Sequence, residues 1–138
     1  MAQQTGEMVD RLLVAATNAH DIEALVGCFA EDYSNETPLH PARSFRGREQ
    51  VRRNWEQIFA FVPDVRAEVL HRAFDGDTAW TEWHMSGTRR DGTAHQMRGV
   101  IVFGVRDGLA QRARFYLEPV DEGVATADEA VRAQVARA

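Results

Sequence analysis

The stretch HQMRGVIVFGVRDGLAQRARFYLEP, running from His95 to Pro119, decides the fold. It reads as two long strands joined by Arg106-Asp107-Gly108, a three-residue loop with Gly where the backbone needs positive φ. Pairing Val105 with Leu109 around that loop sets Met97 opposite Leu117, Gly99 opposite Phe115 and Ile101 opposite Ala113. One face of the hairpin is then almost wholly apolar. The other mixes Arg98, Val100, Val102, Arg112, Arg114, Tyr116 and Glu118. A hairpin cannot bury such a face by itself, so the preceding chain must cover it.

Upstream, the same period of two continues. Val65, Ala67, Val69, His71 and Ala73 alternate with Arg66, Glu68, Leu70 and Arg72 before Asp75-Gly76-Asp77 turns the chain. Ala79, Thr81, Trp83 and Met85 then alternate with Trp80, Glu82, His84 and Ser86, and Arg90-Asp91-Gly92 leads into the quoted hairpin. Loops of three residues make this a four-stranded antiparallel meander with agreeing registers. Val69, Trp83, Gly99 and Phe115 form one inward row; Ala67, Met85, Met97 and Leu117 form the next; His71, Thr81, Ile101 and Ala113 form a third.

Helices come first in the chain. Met8, Leu12, Ala15, Ala16 and Ala19 recur at helical spacing after a start near Thr5 and Glu7. Asp21 is placed to cap a short second helix through Ile22, Leu25, Val26 and Phe29. Tyr33 to Thr37 reads as a short strand before Pro38, followed by loop. A third helix follows Gly47, with Val51, Trp55, Ile58, Phe59 and Val62 on one stripe, and Pro63 ends it. Helices followed by a twisted antiparallel sheet give an α+β domain over residues 1–124, helices on the concave face. The tail, 125–138, has only Ala130, Val131 and Val135 to bury and is read as helical or disordered.

Composition excludes several function classes. At 138 residues the chain holds one core, and a net charge of -5 argues against nucleic acid or an anionic membrane as partner. All 16 basic residues are Arg, which removes Lys Schiff-base chemistry and a Lys general base. Cys28 stands alone, so no intrachain disulfide can form, which suits a reducing cytoplasm. No apolar run reaches membrane-spanning length, and MAQQTGEMVDR lacks the form of a signal peptide. The five His and Cys28 show no metal-ligand spacing, no Gly-rich phosphate loop appears, and no cofactor is implied.

NAHDIEALVGCFAEDYSNETP, a Gly-Arg-Glu helix start, and four strands ending in FYLEPV resemble the nuclear transport factor two-like superfamily of cone-shaped, cystatin-like folds. Within it the chain is similar to the SnoaL-like group, which includes polyketide cyclases, and to ketosteroid isomerase and limonene epoxide hydrolase. The resemblance covers roughly residues 7–120. It implies an isomerase, cyclase or hydrolase acting on a polyketide-, terpene- or steroid-like substrate. The family's acids are largely missing. The isomerase's base falls at Thr37 and its oxyanion-hole Tyr and Asp near Leu13 and Ile101. The epoxide hydrolase's Arg and two Asp fall near Trp83, Met85 and Phe115. The acid that the cyclases carry near the last strand has Glu118 for a neighbour, which the period of two turns away from the pocket.

The candidate site is therefore an apolar pocket with few polar groups. Its ligand-binding candidates are Asn35, Thr37, Trp55, Phe59, Thr81, Trp83, Met85, Met97, Gly99, Phe115 and Leu117. Gly99 beside Trp83 leaves space that a core would fill. Proton transfer has three candidates: Tyr33, His71 inside the apolar face, and Glu36, which a bulge would turn inward. A neutral His71 bonded to Thr81, and loop polar groups satisfying their own backbone, are the plainer accounts. His40, in the Pro-flanked loop, is a lid candidate. An enzyme and a non-catalytic binding protein that has lost the carboxylates both remain open. The outer sheet face combines Leu70, Trp80, Val100, Val102 and Tyr116 with charges of both signs, which suits a homodimer.

Overall fold

The computed structural model describes residues 2–13 and 19–136; Ala15, Ala16 and the last two residues, which the helical readings included, lie outside them. Helix α1 (Ala2–Leu13) precedes α2 (Ile22–Val26), whose cap is Asp21 accepting from the Ala24 N–H at 3.0 Å. Strand β1 (Phe29–Glu36), a 3₁₀ turn (Pro41–Arg43) and β2 (Phe45–Arg46) lead into α3 (Arg48–Phe61). Strands β3 (Arg66–Asp75), β4 (Thr78–Thr88), β5 (Ala94–Arg106) and β6 (Leu109–Pro119) follow, then α4 (Ala127–Val135). Phe29 thus opens a strand and does not close α2. No helix among the described residues is long and apolar enough to cross a membrane.

The six strands form one sheet in the order β2-β1-β6-β5-β4-β3. The four long strands make the expected antiparallel meander, and β1 joins in parallel beside β6. The β4–β5 register is as read: Trp83 faces Gly99, Met85 faces Met97 and Thr81 faces Ile101. At β5–β6 the loop is two residues, Asp107 and Gly108, with φ of 53° and 75°. That is the positive-φ pair an Asp-Gly hairpin turn uses. A bulge at Gln111 adds one more step, so Gly99 faces Leu117 and Ile101 faces Phe115. The slip from the expected pairing is two residues, and an even slip leaves every side chain on its own face.

At β3 the slip is odd. Leu70 is extruded between Val69 and His71, so His71 faces Glu82 and Arg72 faces Thr81. His71 is turned out to solvent.

Gly99 has a different task from the one expected. A Cβ there would lie 2.1 Å from the Tyr116 carbonyl oxygen, and its φ is 148°. The space beside Trp83 is taken by the backbone of β6, and a glycine in a strand interior marks such a close approach or bend. On the concave face, Met8, Val9 and Leu12 of α1 pack with Ala79, Trp83, Phe103 and Val105 into a dry core. The Trp83 indole is part of it: Nε1 donates to Thr81 Oγ1 at 2.7 Å, and that hydroxyl donates to the Ile101 carbonyl at 2.7 Å. Thr81, not a histidine, satisfies the one polar atom of the buried ring.

Replacing Thr81 by Val leaves that indole N–H unpaired in the core and should cost about 1–3 kcal/mol in chemical denaturation. Thr81→Ser keeps the hydroxyl and should cost only about 0.8 kcal/mol for the lost methyl. Equal losses would show that the hydrogen bond contributes nothing.

Candidate functional site

Where α1 fills the concave face the core is tight; where α3 crosses it, the fill is incomplete. A cavity of about 410 Å³ opens between α3, β1 and the far ends of β4, β5 and β6. Val51, Trp55 and Ile58 line it from α3, Met85 and Met97 from β4 and β5, and Phe115 and Leu117 from β6. Trp55 is held by Phe59, whose ring lies 5.5 Å away and is backed by His20 stacked at 4.4 Å. His20 is pinned in turn by a 2.8 Å bond between Nε2 and the Val65 carbonyl.

The polar wall belongs to β1. Alternation places Tyr33, Asn35 and Thr37 along one inward face, where they bond in series. The Tyr33 hydroxyl donates to Asn35 Oδ1 at 2.7 Å, and Asn35 Nδ2 donates to Thr37 Oγ1 at 3.3 Å. Phe29 and Phe45 meet the Tyr33 ring edge-on at 4.8 and 6.0 Å. Burial pushes the Tyr33 phenol well above its ordinary pKa, so it stays a neutral donor. Among the described residues no buried side-chain nitrogen or oxygen lacks a partner.

The mouth carries the charge. Glu118, Arg43 and His95 border it. His40, from the loop after β1, bonds through Nε2 to Glu118 Oε1 at 2.7 Å, with Arg43 Nη1 4.0 Å from the other oxygen. His95 is held below the ordinary histidine pKa, first by burial and then by the nearby Arg89 charge. Asn54 also reaches the cavity from α3, its Oδ1 accepting from Gln50 Nε2 at 2.8 Å.

Several candidates stand elsewhere. Glu36 is exposed on the outer face near Arg112 and Arg114, because β1 runs without a bulge from Ser34 to Glu36. His71 is exposed on the convex side, and neither group faces the cavity. Thr81 and Trp83 belong to the dry core, Gly99 to the strand crossing, and Phe59 supports Trp55 from behind. Tyr33 alone of the three proton-transfer candidates meets the cavity. Period two also misplaces Glu118: it lies at the end of β6, where the His40 loop folds beside the strand and makes it part of the rim. A contact spanning 78 positions has no local signature.

Cys28 is buried, which pushes its thiol above the ordinary pKa, and its Sγ contacts the Ala24 carbonyl at 3.4 Å. Among the described residues no three His, Cys, Asp or Glu side chains gather as a metal would require.

The SnoaL-like domain model matches residues 9–113, most of the chain. The protein belongs to the SnoaL-like domain family. No curated protein sequence matches it. Among solved structures it is similar to IdmH, a candidate polyketide cyclase from Streptomyces antibioticus, at 25% identity and a TM-score of 0.71, over 83% of this chain and 91% of that one. It shares the fold of an epoxide hydrolase of M. tuberculosis resembling limonene epoxide hydrolase, at 19% identity and a TM-score of 0.71, over 84% of each chain. A Catenulispora acidiphila protein of ketosteroid isomerase-like fold, solved with trimethylamine, matches at 20% identity and a TM-score of 0.65, over 80% of this chain and 85% of that one. The architecture is the nuclear transport factor two-like cone, a curved, unclosed sheet with helices in its concavity.

Proposed function

We propose that this chain is a SnoaL-like enzyme that takes a small, largely apolar ketone of polyketide, terpene or steroid type and moves a proton from the carbon beside its carbonyl. The observation that carries the reading is Glu118, a carboxylate bonded to His40 at the rim of an apolar cavity. The hydrocarbon body enters among Trp55, Met97, Phe115 and Leu117, and the cyclase-like relative IdmH lends the substrate class. The Glu118 carboxylate accepts the proton from carbon, and His40 holds that carboxylate in place. The negative charge that develops on the carbonyl oxygen is met by hydrogen-bond donors of the β1 series, the Thr37 hydroxyl and the Asn35 amide. Ring closure or double-bond migration follows from the same enolate.

The test is exchange of the α-protons of β-tetralone in D₂O, followed by NMR. The wild-type chain should accelerate it, and Glu118→Gln should slow it by roughly two orders of magnitude or more. Binding of β-tetralone with no acceleration would instead assign the second reading, a pocket that binds without catalysis.

The outer face supports a homodimer. Trp80 is 48% exposed there, flanked by Arg98–Glu82 at 3.6 Å and His84–Glu68 at 3.3 Å, charges of both signs that a two-fold axis could cross-match. Val102 does not join that patch: it is already buried within the chain, among Thr78, Arg112 and Arg114. Sedimentation at micromolar concentration should give a dimer for the wild type and a monomer for Arg98→Glu with Val100→Asp. A monomeric wild type would remove the dimer.

A further inference from the structure

Helix α4 is built to last and buries nothing. Thr126 and Glu129 form a complete capping box: the Glu129 N–H donates to Thr126 Oγ1 at 3.3 Å and the Thr126 backbone N–H donates to Glu129 Oε1 at 3.3 Å. Ala127, Ala130, Val131 and Val135 make an apolar stripe, yet Val131 and Val135 stand in solvent, as does Val124 before them. A capped amphipathic helix with an open apolar face calls for a surface to cover.

The nearest apolar surface by chain is the cavity mouth. Pro119 lines the cavity, and residues 120–126 are all that separate it from α4. Seven residues reach at most about 23 Å, and nine helical residues run about 14 Å, so the helix can lie across the opening. Exposed apolar residues adjoin that charged rim along the chain. Leu39, 64% exposed, lies between Thr37 and His40; Phe61, 63% exposed, follows Ile58 by one turn; Val120 is bonded through its N–H to the Gln96 carbonyl, between His95 and Met97. Charge agrees as well. Asp121, Glu122, Asp128 and Glu129 outnumber Arg132 on the segment; the rim carries Arg43 and His95 with Glu118, and Arg89 beside His95 and Arg90 bonded to the Ala60 and Phe61 carbonyls add positive charge next to it.

We infer that α4 is a lid: it swings on residues 120–126 to set Val131 and Val135 against Leu39 and Phe61, closing the cavity over its contents. The inference rests on the cavity being a ligand site, and it names the segment that excludes water from that site.

Two full-length cysteine pairs test it, with Cys28 buried and left in place. Leu39→Cys with Val131→Cys should oxidise in glutathione buffer to a disulfide within one chain, at least about tenfold faster than Leu39→Cys with Ala133→Cys, which points from the opposite helix face. Equal rates for the two pairs would overturn the lid, and so would a disulfide formed only between chains, which would give α4 to a second copy. Release of anilinonaphthalene sulfonate from the cavity should be about tenfold faster in Val131→Asp with Val135→Asp than in the wild type. Unchanged release would also overturn it. Should the dye bind neither chain, the ligand-site reading fails, and the cross-linking rates still decide the lid.

Discussion

At Gly99 the strands β5 and β6 approach more closely than any side chain permits, since a Cβ would stand 2.1 Å from the Tyr116 oxygen. Everything on the concave face depends on that crossing. With φ at 148° the strand can bend there, and a bent sheet has an inside. The helices enter that inside unevenly. The first packs Met8, Val9 and Leu12 with Phe103 and Val105 into the core. The third presents Trp55 to the same space as Phe115 and Leu117, and about 410 Å³ stays open among them. One curved sheet thus yields a dry core at one end and a cavity at the other.

The polar groups divide along the same line. In the dry core each is consumed internally, as the Trp83 indole is by Thr81 and the Ile101 carbonyl. In the cavity the β1 series passes hydrogen bonds from Tyr33 through Asn35 to Thr37. Thr37 receives that last bond and keeps its own hydroxyl proton to give. The bonded pair, Glu118 and His40, sits at the rim, each partly exposed to solvent. An apolar interior with acid–base groups at its edge suits a hydrophobic carbonyl compound that presents one reactive end.

Parity explains which parts of this were legible in the sequence. The four strands and most of their inward faces could be read because alternation survives an even slip: the two-residue loop and the Gln111 bulge moved Phe115 and Leu117 along β6 and kept them inside; the first three helices were legible from their own helical spacing. One odd bulge, at Leu70, was enough to turn His71 from an interior acid–base candidate into a surface residue. Glu36 failed for the converse reason, since the bulge that would have turned it in is absent. The His40–Glu118 pair and the Asn54 contribution depend on how a loop and a helix fold over a strand end, which no spacing along the chain encodes.

The central claim is that the cavity, and not the packed core, receives the ligand, and the methionines report on both. Met85 and Met97 line the cavity, whereas Met8, on the inner face of α1, is buried in the core. Titrating β-tetralone into protein carrying ¹³C-methyl methionine should shift the Met85 and Met97 methyl resonances and leave that of Met8 in place. A Met8 shift of equal size, or saturation of binding with Met85 and Met97 unmoved, would contradict the account.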